Sequence, residues 1–198
     1  MNRVAKGNVG YTLSHRKWQI MKMSLYIVLA LAIFLIGWIT TKTTKNIMSI
    51  IAICGALPIS KEMVGVIMSF KRKPMDRQVY EQISLKAGKL EQIYELLFTT
   101  QEKSYTAEAA VIEGKDVICY TNDPKCDQLA LQKHLQRMLD ANGYKENVKV
   151  YKDLKKFLDR TAELERREKQ EIPYTPHSSY PELNRDQLIK HLLLALSI

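Results

Sequence analysis

The chain has 198 residues, enough for one soluble domain and a membrane segment but few for two domains. Its formal net charge of +9 first indicates a nucleic-acid partner, but residues 1–77 carry +10, from twelve basic and two acidic residues, and the rest of the chain carries −1. We therefore expect no nucleic-acid partner. Three cysteines without a C-x-x-C pair exclude a disulfide framework and a cysteine-based zinc site, which suits a reducing compartment.

The first long apolar segment is Met23–Thr41, nineteen residues without a charge. At about 1.5 Å per residue, a helix of this length matches the roughly 30 Å hydrocarbon core of a bilayer. Tyr26 and Trp38 lie near its two ends, where aromatic rings favour the membrane interface. The run is longer than the apolar region of a signal peptide and lacks a small-residue cleavage site. We predict a transmembrane helix over residues 23–41.

A second apolar segment covers residues 46–70 and is interrupted by Lys61 and Glu62. One interpretation is a single helix from Ile47 to Phe70, bent by Pro58, that crosses the bilayer. The alternative is that residues 46–60 cross a thinned bilayer while residues 61–70 lie along its surface. The single bent crossing is favoured, which gives a transmembrane hairpin over residues 23–70.

Basic residues predict how this hairpin is oriented. Five Lys or Arg residues precede the first segment, two lie in the turn and four follow the second segment, so both chain ends are expected on the cytoplasmic side of the cell membrane. Residues 1–22 then form a basic cytoplasmic segment and residues 71–198 a cytoplasmic α/β domain. The side chains expected to contact anionic lipid are Arg16, Lys17, Lys22, Lys71, Arg72 and Lys73.

The soluble domain is expected to begin with a helix over Asp76–Phe98, for which a stalk continuing from the membrane and a coiled-coil dimer are the alternatives. A hairpin follows, with strands Thr106–Glu113 and Asp116–Thr121 joined by a type II′ turn at Gly114-Lys115.

Asp123 and Pro124 are expected to start the next helix, which ends at Asn142-Gly143. A strand over Asn147–Tyr151 and a helix capped by Asp153 come next. Residues 172–183, with three prolines, are predicted to be an irregular connection, and Asn184 to cap an apolar final helix that docks on the sheet or on a partner. The order α-β-β-α-β-α-α, with a right-handed crossover between the last two strands, predicts a small mixed sheet covered by helices.

Glu113-Gly114-Lys115 has the E-x-K spacing with which nuclease-like folds bind metal and act on phosphate. Those folds place the Glu and the Lys along one strand, whereas a turn glycine separates them here. With Glu108 as a second carboxylate, a metal-dependent nuclease remains an alternative. His134 is expected to be exposed and His191 to lie at the edge of an apolar helix face.

Cys126 is predicted to lie in the first turn of a helix, where the dipole lowers a thiol pKa. A reactive thiol there would need a histidine nearby, and His134, His177 and His191 are the candidates. The simpler interpretation is a small residue at a helix start. Motifs for nucleotide binding and for serine or zinc hydrolases are lacking, and no cofactor is expected.

The leading functional hypothesis is a membrane-anchored cytoplasmic module that binds a protein or a small ligand, or self-associates, without catalytic activity. The first alternative is a membrane-tethered hydrolase with a site near Glu108, Glu113, Asp123 or Cys126. The second is an accessory subunit of a larger membrane complex, for which the charged Lys61 within the second segment would serve assembly.

Overall fold

The structure is a computed structural model that describes residues 4–100, 103–167 and 182–197. The chain divides into two compact units, one from Thr12 to Lys71 and one that joins the residues up to Tyr11 with those from Arg72 onward. The first unit is helical and the second is an α/β domain. That the residues before Tyr11 belong to the α/β domain was not anticipated from the sequence.

The first unit is a helical hairpin. Its helices are α1 (Tyr11–Thr41), α2 (Ile47–Cys54) and α3 (Ala56–Lys71). Only Gly55 separates α2 from α3, three residues before Pro58, whose missing N–H cannot bond to the carbonyl of Cys54. Residues Tyr11–Thr41 and Ile47–Lys71 are each long and apolar enough to cross a membrane.

The two arms of the hairpin run antiparallel, which the contacts along them demonstrate. Arg16 donates a hydrogen bond to the carbonyl of Ser69, and Lys22 lies 4.0 Å from the Glu62 carboxylate. A Cβ on Gly65 would lie 2.9 Å from Gln19 Nε2, so the two arms approach closely at this point. The ends of the hairpin at Tyr11 and Lys71 are therefore on the same side of it.

The α/β domain contains a four-stranded mixed sheet in the order β1-β2-β3-β4. The strands are β1 (Glu91–Thr99), β2 (Ser104–Glu113), β3 (Asp116–Tyr120) and β4 (Asn147–Tyr151). The helices are α4 (Arg77–Ala87), α5 (Gln128–Ala141), α6 (Leu154–Arg166) and α7 (Arg185–Leu196). Strands β1, β2 and β3 are antiparallel, and β4 is parallel to β3. The mixed sheet was correctly predicted.

Both faces of the sheet are covered, which explains why β1, β2 and β3 have buried residues on both sides. On one face, Leu131, Leu135 and Leu139 of α5 pack with Ile189 and Leu193 of α7. On the other face, Ile83 of α4 packs with Phe157 and Leu164 of α6. The final apolar helix thus docks on its own sheet, which is one of the two alternatives predicted for it.

The helix predicted over Asp76–Phe98 is wrong beyond residue 87. Gly88 has a φ of +49° and ends α4, and the following residues form strand β1. Apolar residues at three- and four-residue steps occur here because both faces of β1 are buried, so a nearly continuous apolar run matches either period. The observed order is therefore α-β-β-β-α-β-α-α after the hairpin, with one strand more than predicted. Since α3 ends at Lys71 and α4 begins at Arg77, no continuous stalk is present.

The β2–β3 hairpin agrees with the prediction. Glu113 pairs with Asp116 across a two-residue turn, and φ is +58° at Gly114 but not positive at Lys115, as a type II′ turn requires. The next predicted helix start is wrong. Asp123 initiates a turn, with its side chain accepting from the Lys125 N–H, and α5 begins after Asp127, which caps it.

Caps at the other helices were predicted correctly. Asp153 accepts hydrogen bonds from the first turn of α6, and Asn184 forms a capping box with Gln187 at the start of α7. Asn142 ends α5, and Gly143 follows it with a φ of +85°. The irregular connection predicted over residues 172–183 lies almost wholly outside the described residues.

Candidate functional site

The outer surface of the helical hairpin is apolar. Large side chains such as Leu25, Ile39, Ile53 and Leu57 are exposed along it. Apolar surfaces of this extent mark sites of contact with a protein partner or with lipid. The hairpin is therefore the first candidate for a functional surface.

Of the six basic residues expected to contact lipid, four belong to the helical hairpin and two to the α/β domain. The Arg16 guanidinium lies 4.3 Å from the Phe70 ring centroid, and Lys22 is the partner of Glu62. Lys17 and Lys71 are exposed. In the α/β domain, Arg72 is only 3% exposed and lies over the Tyr11 ring, whereas Lys73 is exposed and 3.9 Å from Asp123 Oδ1. Arg72 is therefore an internal residue rather than a surface contact.

Glu95 in the middle of β1 is the most unusual residue of the domain. It is 2% exposed and has a φ of +57°, a conformation that residues other than glycine rarely adopt. Its Oε1 accepts hydrogen bonds from the backbone N–H groups of Gly10 and Met75, each at 3.0 Å. The same carboxylate thus holds the segment that precedes the helical hairpin and the segment that follows it.

The conformation at Glu95 changes which face the strand residues occupy. Tyr94 and Leu96 are two positions apart and should share a face, but they belong to opposite cores. Ala107 and Ala109 on β2 differ in the same way. On both strands, the alternation of side chains between the two sheet faces is therefore interrupted at Glu95 and Glu108 and resumes on the opposite face. Sequence analysis missed Glu95, although an acidic residue within the apolar run Tyr94–Phe98 was a visible signal.

Glu108 lies on β2 near the carboxyl ends of β3 and β4, where the loops after parallel strands commonly bind ligands. Burial raises the pKa of Glu108, and the positive charge of Lys73 and a hydrogen bond from the Asn122 N–H oppose that rise. Asp123 is also close enough to influence this pKa. A carboxyl group with a raised pKa is suited to general acid–base chemistry.

Cys126 lies near this end of the sheet, but it does not have the predicted environment. It precedes α5 instead of lying in the first turn, it is buried, and burial raises the pKa of its thiol. The groups that influence it most are the Thr121 hydroxyl, Lys152 and two aspartates, with no histidine among them. The prediction of a lowered thiol pKa is therefore wrong. Cys119 is a core residue, and burial raises the pKa of its thiol to about 12.

Glu113 and Lys115 lie at the opposite end of the sheet. Glu113 is the last residue of β2 and Lys115 belongs to the turn, so the two side chains do not lie along one strand. Five residues of β2, or about 17 Å at 3.4 Å per residue, separate Glu113 from Glu108. The candidates Glu108 and Glu113 are thus not brought together. No cluster of three or more potential metal ligands occurs among the described residues.

A small cavity of about 210 Å³ opens beside this turn. Its lining includes Glu113, Lys115, Asp116, Asn147 and Arg167. Asp116 is paired with Arg160 at 3.2 Å and with Arg167 at 3.1 Å, so the charges around the cavity largely neutralise one another. The cavity is smaller than the roughly 300 Å³ at which typical small-molecule sites begin.

A buried ion pair fastens α7 to the same turn. Arg185 donates hydrogen bonds to the Glu146 carboxylate and to the carbonyl of Gly114, and Asp186 accepts from the Gly114 N–H. Burial raises the pKa of Glu146, and the Arg185 charge opposes this effect. The second carboxylate oxygen of Glu146 is buried without a hydrogen-bond partner. No sequence signal links these residues, because Glu146 and Arg185 are 39 positions apart along the chain.

Neither His134 nor His191 is among the groups that influence the pKa of Glu108 or of Cys126. His134 was expected to be exposed but is half-buried, and burial lowers its pKa. His191 is exposed on α7. His177 lies outside the described residues. Among the described residues, Lys73 and Asp123 are close enough to each other and to Glu108 for their charges to interact.

No protein-family model matches this chain, and comparison with curated proteins and with solved structures gave no significant match.

Proposed function

We propose that this protein is a membrane-anchored module whose helical hairpin crosses the membrane twice and holds the α/β domain at the cytoplasmic surface, where it binds a partner. One observation supports this most strongly: the segments on both sides of the apolar hairpin fold into the same domain, joined at the Glu95 carboxylate. A hairpin that leaves one domain and returns to it can insert as a loop while the domain stays on one side.

The orientation rests on charge. Nine basic residues flank the outer ends of the two apolar segments and two lie in the turn, so the domain is assigned to the cytoplasmic side. The exposed amines of Lys17, Lys71 and Lys73 would lie near the anionic inner surface of the membrane, where each contributes about 1 kcal/mol to binding.

The binding role of the domain rests on its surface. Both sheet faces are covered by the domain's own helices, so a partner has to use helix surfaces or sheet ends. Two leucines stand out from the polar helix surfaces, Leu85 on α4 at 84% exposure and Leu129 on α5 at 65%. Apolar side chains exposed in this way are suitable contact points for a protein partner.

Photo-cross-linking in the native membrane tests this role. A photoreactive residue replaces Leu85 or Leu129 in the full-length chain, and an exposed lysine in the loop after α5, Lys145, serves as the control position. The proposal expects a stoichiometric product with one foreign protein from at least one leucine position, and a lysine at that same leucine should abolish the partner's co-purification. Only self-products, or equal products from Lys145, would count against it.

A second candidate function is hydrolysis at Glu108. It is supported by the buried Glu108 carboxylate, which has a raised pKa, beside Asp123 and Lys73. In this case Glu108 acts as general base toward a water molecule and Lys73 neutralises developing negative charge. The purified full-length protein should then turn over a phosphate or carboxylic ester, and Glu108→Gln should abolish turnover while Glu165→Gln should leave it unchanged.

An accessory role in a larger membrane complex is a special case of the first proposal, with the partner inside the membrane. Lys61 is exposed on α3 and would be the contact. Co-purification of a membrane partner that is lost in Lys61→Leu would favour this case, and unchanged co-purification would exclude it.

A further inference from the structure

A groove runs along the exposed side of α1. It is a shallow, open depression between side chains of this one helix, and it is lined by Lys17, Ile20, Met21, Ser24, Leu25 and Val28. The lining residues recur at three- and four-residue steps, so they form one stripe on the helix. The stripe is apolar from Ile20 to Val28 and has a single charge, Lys17, at the end nearer the start of α1.

Lys17 differs from the other basic residues at this end of the hairpin. Arg16 is held by the Ser69 carbonyl and the Phe70 ring, and Lys22 by Glu62. Lys17 is exposed, and no ion pair or hydrogen bond within the described chain occupies its ammonium group. No acidic side chain lines the groove.

We propose that this groove is a binding site for one anionic phospholipid. The Lys17 ammonium group binds the phosphate, and an acyl chain lies along the apolar stripe, where the short side chain of Ser24 leaves room for it. The inference rests on the proposed membrane insertion of the hairpin. It goes further in assigning lipid selectivity to one lysine and one stripe, instead of to the general basic charge of the flanks.

The chemistry of the groove favours a lipid over a protein helix. An ammonium group is a compact charge that binds phosphate oxygens well, and Lys17 lies at the end of the stripe that faces the membrane surface when α1 crosses the bilayer. A second helix packed into the same stripe would bury Lys17 against apolar side chains without a partner, which is costly. A soluble phosphate would use Lys17 alone and leave the apolar stripe uncovered.

The test uses the full-length protein in nanodiscs of phosphatidylcholine with a minor fraction of phosphatidylglycerol. Native mass spectrometry of the released protein then measures how much phosphatidylglycerol is retained. Lys17→Gln removes the charge, and Lys45→Gln, at an exposed lysine in the turn, is the matched control. Since one lysine contributes about 1 kcal/mol, Lys17→Gln should reduce retention about fivefold and Lys45→Gln should not.

A second pair of variants tests the apolar stripe. Ser24→Leu fills the groove without changing charge, and Ser60→Leu makes the same change at an exposed serine of α3 outside the groove. Ser24→Leu should lower lipid retention and Ser60→Leu should leave it unchanged. Equal effects of the members of either pair, or retention of free glycerol phosphate as strong as that of the lipid, would overturn the proposal. Failure of the wild-type protein to enter nanodiscs would instead refute the proposed membrane insertion.

Discussion

The backbone N–H of Met75 donates a hydrogen bond to Glu95 Oε1 at 3.0 Å, and the N–H of Gly10 donates to the same oxygen. A single buried carboxylate therefore accepts hydrogen bonds from backbone N–H groups on both sides of the helical hairpin. Glu95 has a positive φ, and the side chains of β1 change sheet face at this residue. One side chain in the centre of a strand therefore contacts both of the segments that flank the hairpin.

Removing this carboxylate should loosen both flanking segments. Glu95→Ala leaves two N–H groups without their charged acceptor and should lower the free energy of unfolding by about 2–3 kcal/mol, whereas Glu95→Gln keeps an acceptor oxygen and should cost about 1 kcal/mol. Hydrogen exchange of the full-length protein should speed up at Gly10 and Met75. An exposed control, Glu81→Ala, should change neither quantity, and unchanged exchange in Glu95→Ala would refute the role of this residue.

The ion pair between Arg185 and Glu146 should be costly to break. Arg185→Met leaves the buried Glu146 carboxylate without its partner and should destabilise the protein by about 3–5 kcal/mol. Urea unfolding measures this loss. Arg166→Met at the exposed end of α6 should have little effect, and adding Glu146→Gln to Arg185→Met should restore part of the stability. A double variant as unstable as the single one would contradict this explanation.

Two glutamines should protect the edge of β4 that pairs with no other strand among the described residues. Gln136 Oε1 accepts from the Val148 N–H, and Gln128 Nε2 donates to the Val150 carbonyl, so backbone groups that an added strand would use are occupied. The double change of Gln128 and Gln136 to alanine should therefore promote self-association, visible by sedimentation velocity. Gln132→Ala, on the same helix, is the control, and a double variant that sediments like the wild type would disprove the protection.

The raised pKa of Glu108 predicts a direction for pH dependence. The folded state binds the proton more tightly than the unfolded state, so this contribution to stability is fully present below the ordinary glutamate pKa and is lost as pH rises through the higher folded pKa. Glu108→Gln should therefore flatten the fall of unfolding free energy with rising pH and stabilise the protein at neutral pH. Urea titrations from below the ordinary glutamate pKa up to neutral pH measure how the free energy of unfolding changes with pH. An unaltered slope in Glu108→Gln would contradict the raised pKa.

Much of the architecture could be read from local signals. The apolar segments, the Gly114-Lys115 turn and the caps Asp153 and Asn184 each depend on residues close in sequence, so pattern and propensity were sufficient. Strand β1 was mistaken for helix because burial on both faces removes the alternation that marks a strand. The start of α5 was misplaced because Asp followed by Pro favours a turn as well as a helix cap.

The candidate site was less predictable because its parts meet only in the folded chain. Glu108, Lys73 and Asp123 come from three separate segments, and the Glu95 contacts join residues up to 85 positions apart. Glu113 and Lys115 have the E-x-K spacing, but a turn separates their side chains, so they do not lie along one strand. Spacing along a chain predicts chemistry only when the residues share one helix or strand.

Labelling in intact cells tests the membrane-crossing hairpin most directly. In a Cys54→Ser background, Thr43→Cys places a thiol in the turn between α1 and α2, and Lys155→Cys places one on the exposed surface of α6, while the native Cys119 and Cys126 are buried. A membrane-impermeant maleimide should label the Thr43→Cys variant in intact cells and the Lys155→Cys variant only after permeabilisation. Labelling of both variants, of neither, or of Lys155→Cys alone in intact cells would contradict a hairpin that crosses the membrane from the cytoplasmic side.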